Sequence, residues 1–488
     1  MIHLKRRALV IGAGPAGLAT LRNLIQLGRF DCVQLVERRD DIGGVWYLDD
    51  VNADSVLDES LRPRWPSPAY PGLVGNVLPE FLSFYGHPFP QPPTSPEEPF
   101  PSLLETQAYL QAFAKPFLEN GSIRLNIEVI SVEELPDCAG WRVVMKDWND
   151  GLGEIIEECW DAVAVCAGCY DNASWPDIEG LKELKHKGLA LHARSWRGAE
   201  GFEGKRALVI EDENSTLDMA TPLSLLGCPP VYRSALHSVK IPCLPNPRIE
   251  DVPPVKEFRC HLGAPFDSSN FHTIAEESEK VSVTLEDGTE IDNIDVLFVD
   301  TGYKPHSEMI HVISQHDRRS LTPLPSVIPS TNARTCRIPH LYQHILYAYN
   351  PTLAFIGAVT ASLPFVVADI SSLWLTLAWN GEIKIPSTPA ERLQFEHDLL
   401  VDIEPEHRDK MGQVVPSAST TYSNLGDREV QYAAGLRKDI VNVRPGLGSL
   451  LLEWDDRLET AKDNMFLMKI KALEWAKQKR SKIIYETI

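Results

Sequence analysis

Apolar positions along the chain fall into short continuous runs, each followed by a stretch with helical spacing. The first run is ALVI at 8–11; a glycine-rich turn follows, and apolar residues then recur through AGLATLRNLIQLG as they do on one face of a helix. CVQLV at 32–36 gives a second strand, ending at Glu37. ALVI returns at 207–210, again before a turn and a helix. LAFIG at 353–357 reads as a strand leading into a buried helix, and DGTEIDNIDVLFVDTGYKP at 287–305 as a hairpin, a strand and a Thr-Gly-Tyr turn. Strands alternating with helical stretches predict an α/β fold. The prolines of 62–101 forbid helix and central strand, so that segment reads as a long ordered loop that shapes a pocket or, alternatively, as a solvated linker.

The turn after the first strand carries Gly12, Ala13, Gly14, Pro15, Ala16 and Gly17. Gly12 permits a tight turn, Gly14 lets backbone N–H groups approach a pyrophosphate, and Gly17 lets helix and strand pack closely, while the helix N-terminus faces the phosphates with its positive end. Glu37 stands where a carboxylate accepts hydrogen bonds from ribose hydroxyls. Strand, triplet, helix, strand and acid in that order predict a dinucleotide site. Arg38 follows Glu37, and Gly44, Val45 and Trp46 come soon after. A glycine pair and an aromatic at this place resemble the segment that passes beside the flavin in two-dinucleotide flavoproteins, so FAD is expected over a nicotinamide nucleotide.

Composition narrows the partners. A chain of 488 residues suggests two or three domains, and a net charge of −21 with pI near 5.1 repels nucleic acid and anionic membrane surfaces. Nine scattered cysteines make no disulfide framework, so a reducing, cytoplasmic setting is expected. Cys166 and Cys169 have the spacing of a redox dithiol, against which stands simple burial at a strand end. The basic, apolar N-terminus mimics a signal peptide, but its glycines and helix argue otherwise; the apolar stretch 351–368 contains Pro364 and is followed by Asp369, and the C-terminus is charged, so no membrane anchor is expected. Nothing in the pattern calls for a metal ion.

Further stretches resemble the flavin-containing monooxygenase family, in the family's order. SPAYPGLVGNVLPEFLSF at 67–84 is similar to a segment with an asparagine near the flavin, which implies that role for Asn76. IRLNIEVISV at 123–132 resembles the adenine-side strand and implies that Val129 touches the cofactor; 287–305, LYQHI at 341–345 and LAFIG resemble later flavin-domain segments. The likeness covers most of residues 5–385. In HKGLALHARSW at 186–196, Gly188, His192 and Trp196 fit the family fingerprint, His186 replaces its phenylalanine, and Arg197 does not complete the Baeyer–Villiger version. His192 is read either as a linker histidine coupling the domains or as a catalytic group. The resemblance implies two nested Rossmann-like domains: an FAD domain over 1–177 and again from 300, where a C-terminal helical region follows, with an NADPH-type domain inserted over 178–299.

The second glycine turn of the family falls on EDENS at 211–215, so Glu211 and Glu213 replace glycines and Asn214 and Ser215 follow. A like charge about 5 Å from a phosphate opposes binding by about 3 kcal/mol at an effective dielectric near 20. Leu236 stands where the family usually has an arginine for the 2′-phosphate, and Arg233 is the nearby substitute. Other readings are that these acids complement the helix dipole and that they hold a substrate amine. The resemblance implies an FAD-dependent monooxygenase that inserts one atom of O2 into a small organic substrate by N-, S- or C-oxygenation through a flavin C4a-(hydro)peroxide, in specialised metabolism; NADPH use stays open. Two alternatives stand beside it: an NADPH-independent FAD enzyme, either an oxidase or a redox-neutral catalyst, and a flavin-binding protein without catalysis. A homo-oligomer is left open.

Overall fold

The computed structural model describes residues 6–49, 63–90, 97–211, 217–235, 246–262, 279–305, 307–315, 317, 320–324, 337–406 and 422–486. Strand β1 (Arg7–Ile11) is buried on both faces: Ala8 and Val10 join one apolar cluster, Leu9 and Ile11 another, as the two-residue repeat of a strand requires. Helix α1 (Pro15–Leu27) starts with proline at N1, where no N–H is needed, and buries Leu18, Leu21 and Leu24. At roughly 1.5–3 kcal/mol per buried leucine, that stripe rather than helix propensity fixes α1 on the sheet. Gly28 ends it by donating its N–H to the Leu24 carbonyl at 3.1 Å. Strand β2 (Cys32–Val36) lies parallel to β1, from Arg7 opposite Cys32 to Ile11 opposite Val36. Helix α2 (Leu103–Glu119) opens with a capping box in which Ser102 and Glu105 bond each other's backbone N–H groups. The short β3 (Ile123–Arg124) joins β2; β4 (Ile127–Glu134), β5 (Trp141–Asp147) and β6 (Glu154–Trp160) form an antiparallel meander; β7 (Ala162–Val165) returns beside β1. The stretch expected as one strand over 123–132 is thus two, broken at Asn126, whose φ is +60°.

A second region follows: α3 (Leu181–His186), β8 (Ala190–His192), β9 (Ala207–Glu211), α4 (Leu217–Leu226), β10 (Val231–Ala235), β11 (Ile249–Val252), β12 (Val255–Leu262), β13 (Glu279–Leu285), β14 (Glu290–Ile294) and β15 (Val296–Asp300). Five strands make a parallel sheet in the order β11-β10-β9-β15-β8, and β12, β13 and β14 an antiparallel one. Every residue of β15 is buried, as suits its apolar VLFVD sequence on an inner strand between β9 and β8. Trp196 is a core residue here, its ring edge-on to Phe298 at 5.2 Å.

The chain then adds β16 (Ile310–Ile313) and β17 (Leu321–Pro323) to the meander, and β18 (Leu341–Tyr342), β19 (Leu346–Tyr347) and β20 (Leu353–Phe355) to the first sheet, giving β18-β19-β20-β7-β1-β2-β3. Helix α5 (Pro364–Trp379) is buried from Val367 to Ala378, and α6 (Pro389–Glu406), α7 (Glu429–Val443) and α8 (Asp456–Glu486) complete the order. Two compact units result: residues 1–47, 74–169 and 304–488, and residues 48–73 and 170–303. The borders lie at 170 and 303, where the sequence suggested 178 and 299. Residues 48–73 join the second unit because Arg194 and Arg197 donate to the carbonyls of Pro66 and Ser67 at 3.2 and 2.6 Å. Both units carry the parallel, Rossmann-like sheets expected of the α/β class.

Candidate functional site

In the first unit the glycine turn is shaped by close backbone approach. A β-carbon on Gly17 would fall 1.8 Å from the Gly12 carbonyl oxygen, and one on Gly12 would fall 2.9 Å from the Cys166 carbonyl oxygen. Gly14 is the N-cap of α1 and no side chain caps that end, so the positive end of the helix stays open to an anionic ligand. The Gly43 N–H donates to the Ala13 carbonyl at 2.9 Å and lays the 43–46 segment against the turn, with Gly44 facing Gly14. Two glycine-lined backbones beside an uncapped helix N-terminus fit the diphosphate of an FAD.

Glu37 is buried, and its carboxylate is shared within the turn: Oε2 accepts the Ala13 N–H at 2.7 Å and Oε1 the Arg39 N–H at 3.0 Å. Each oxygen keeps a lone pair for a ribose hydroxyl. Arg38 is half-buried, and Val129 is half-buried on β4, two residues beyond Ile127, whose N–H bonds the Glu37 carbonyl at 2.8 Å.

Trp46 connects this turn to Asn76. A β-carbon on Gly75 would sit 3.6 Å from the Trp46 indole, and the Gly75 N–H donates to Pro101 at 2.9 Å. Asn76 follows, exposed, with Val77 buried behind it. Gly12, Gly14, Gly17, Glu37, Gly44, Val45, Trp46 and Asn76 therefore lie on connected segments of one unit, with Ala13, Pro15 and Ala16 in the turn itself. Cys166 is buried under the turn, its thiol pushed up to about 12 by burial. Such a thiol is a packing group and no redox nucleophile.

His192 lies in the second unit, nine-tenths or more buried. Its Nδ1 accepts the Arg194 N–H at 3.1 Å, which leaves the proton on Nε2 to donate to the Ser174 carbonyl at 3.2 Å. Burial pulls its pKa down to about 4, so the ring is neutral near pH 7. Ser174 also accepts from the Thr301 hydroxyl at 2.6 Å and donates its N–H to Gly302 at 2.9 Å. His192 thus cross-ties the two ends of the 170–303 segment of this unit, with its ring edge-on to Trp175 and Tyr303. Gly188 is exposed at φ +72°, and His186 ends α3 with Nδ1 at 2.7 Å from the Lys182 carbonyl.

Glu211 ends β9, opposite Ala235 and Asp300. Glu213, Asn214, Ser215 and Leu236 lie outside the described residues. The Arg233 guanidinium is held by Asp251 through Nε and Nη2 at 2.6 and 2.8 Å, and is buried.

The sequence reading missed two clusters of the first unit. Arg22 of α1 pairs with Asp369 of α5, which also accepts the Tyr85 N–H at 2.7 Å. In α8, Lys462 pairs with Glu429, and Met465 and Lys469 face the segment at 74–78. Helical spacing could have singled out that face of α8; its partners could not be read.

The profile of the flavin-binding monooxygenase-like family matches residues 5–230. Among curated relatives, flavin-containing monooxygenase FMO GS-OX3 of Arabidopsis thaliana is 28% identical over 399 residues, covering 78% of this chain and 75% of its own. FMO GS-OX-like 3 of the same plant is 26% identical over 433 residues, covering 87% and 84%. S-allyl-L-cysteine S-oxygenase from Allium sativum superposes with TM-score 0.67 at 23% identity, covering 96% of this chain and 99% of its own, a likeness of fold.

Proposed function

We propose that the chain is a flavin-dependent oxidoreductase of the flavin-containing monooxygenase kind that uses FAD, and that its residues divide the work as follows. Gly12 to Gly17 and Gly44 hold the FAD diphosphate, Glu37 with Arg38 and Val129 the adenosine side, and Asn76 presents its carboxamide to the reacting centre. When bound, FAD supplies the redox chemistry that splits O2 and delivers one oxygen atom to a small organic acceptor, such as a thioether, an amine or a ketone. What the chain supplies is position and exclusion of water: Trp46 and Phe365, edge-on at 6.4 Å, wall the turn with apolar rings. The observation that carries this reading is the placement of Asn76, exposed and without a hydrogen-bond partner among the described residues, on a loop packed through Gly75 against Trp46. His192, neutral and bonded at both nitrogens, is read as a coupling residue.

A second reading concerns the reductant. Glu211 and Glu213 stand where phosphate-binding glycines are expected, and Arg233 is engaged by Asp251, which together favour a flavin reduced by something other than NADPH. Anaerobic mixing of the yellow protein with NADPH, followed near 450 nm, separates the two. Rapid bleaching at micromolar NADPH supports the NADPH-driven cycle. No bleaching at millimolar NADPH, with dithionite still reducing the flavin, supports the second reading.

A further inference from the structure

Helix α8 lies beyond residues 5–385, over which the sequence likeness runs, yet one face of it is fastened close to Asn76. Lys462, Met465 and Lys469, spaced three and four residues apart, lie along one side of the helix. Lys462 pairs at 3.8 Å with Glu429, a fully buried carboxylate that accepts the Ser362 and Leu363 N–H groups at 2.6 and 2.9 Å and so holds the start of α5. The Met465 sulfur accepts the Leu78 N–H at 3.5 Å. The Lys469 ammonium donates to the carbonyl oxygens of Val74 at 3.1 Å and Gly75 at 2.7 Å, and lies 5.4 Å from the Phe100 ring centre.

The Gly75 carbonyl belongs to the peptide unit that joins Gly75 to Asn76. A peptide unit is planar, so fixing its oxygen fixes the amide nitrogen and Cα of the next residue. Glycine has no side chain to hold that plane by packing, and the bond from the Gly75 N–H to the Pro101 carbonyl holds only the preceding peptide plane. An ammonium bonded to two successive carbonyls supplies the missing constraint, with charge-assisted bonds stronger than neutral ones.

We propose that Lys469 is a positioning residue for Asn76: through the carbonyl oxygens of Val74 and Gly75 it fixes the peptide plane from which the Asn76 carboxamide projects. The inference rests on the role assigned to Asn76 under Proposed function. It makes the C-terminal helix part of the reacting centre's support.

The test uses the FAD-loaded protein with three substitutions, Lys469→Met, Lys469→Arg and Asn76→Ala. One readout is hydrogen exchange in a peptide spanning residues 74–78; the other is reoxidation by O2 of dithionite-reduced flavin, in which two electrons and two protons pass to O2 and form H2O2. Lys469→Met should speed exchange about tenfold or more, the change expected from losing a charge-assisted hydrogen bond. It should also speed reoxidation in the same direction as Asn76→Ala, while Lys469→Arg stays close to the wild type in both. A Lys469→Met protein at wild-type values in both readouts, with Asn76→Ala faster, overturns the positioning role alone. An Asn76→Ala protein that reoxidises at the wild-type rate overturns the reading of Asn76 and takes the positioning role with it.

Discussion

Gly14 and Gly44, thirty residues apart in the chain, pass so closely that a β-carbon on Gly44 would fall 2.9 Å from the Gly14 Cα. The approach is asymmetric, because a β-carbon on Gly14 would find the Gly44 Cα at an ordinary 3.5 Å. Gly14→Ala should therefore fold with stability within about 0.5 kcal/mol of the wild type. With the diphosphate placed as proposed, the new methyl takes space that it needs, so FAD affinity should fall about tenfold or more, an effect of roughly 1.4 kcal/mol. Gly44→Ala, at φ +59° and against backbone, should lose stability by about 1–3 kcal/mol as well. Urea unfolding of the apoproteins and FAD titration by flavin fluorescence check both.

Asp369 is a fully buried carboxylate paired with the buried Arg22, and the pair ties α5 to the helix that starts at the glycine turn. Asp369→Asn leaves the guanidinium charged in the interior without its counter-ion. Breaking such a pair destabilises by roughly 3–5 kcal/mol, and urea unfolding should show it. The double change Arg22→Met with Asp369→Leu should recover much of the loss, since no charge then remains buried.

Acid should weaken the fold through its buried histidines. Burial lowers the pKa of His192 to about 4 and of His344 to about 3, from the usual 6.5. Between those values and 6.5 the unfolded chain binds protons that the folded chain does not, so stability is whole above about pH 6.5 and falls as pH drops towards 4. The slope is on the order of 1.4 kcal/mol per pH unit for each such histidine. His192→Gln should reduce that slope in thermal melts taken from pH 7 to pH 4, and the wild type should show no loss from pH 8 to pH 7 on this account.

Replacing Glu211 and Glu213 together by glycine removes two carboxylates and two side chains from the second turn. If the native turn repels the nucleotide, the double variant should bleach with NADPH at concentrations at least about a hundredfold lower, as expected from about 3 kcal/mol of relieved repulsion. Stopped-flow absorbance under nitrogen measures it. Equal concentration dependence in variant and wild type would mean that these acids face away from the nucleotide.

What the sequence made legible was local. β1, the turn, α1, β2 and Glu37 stand within about thirty residues, and each step is dictated by its neighbours: apolar run, glycine, helix spacing, acid. The sharing of the Glu37 carboxylate between the Ala13 and Arg39 N–H groups was not visible, since it depends on the turn's exact path in space. Nor was the grouping of 48–73 with the second unit, which comes from arginines more than a hundred residues later donating to backbone carbonyls. Lys469 reaches Val74 and Gly75 across almost four hundred residues, and a lysine on a helix ordinarily signals only a solvated face. Periodicity reports which face of a helix is buried and is silent about what covers it.

The most direct measurement of the central claim is a single turnover with labelled oxygen. The FAD-loaded protein, reduced by dithionite and freed of excess reductant, is mixed with 18O2 and an excess of thioethers, amines and ketones, and products are weighed by mass spectrometry. The account predicts an acceptor carrying one 18O atom, at up to one product per flavin reoxidised. Complete reoxidation with all the 18O2 recovered as hydrogen peroxide, and no labelled product from any acceptor, would contradict it and leave the flavin as an oxidase cofactor or a bound group without oxygenation.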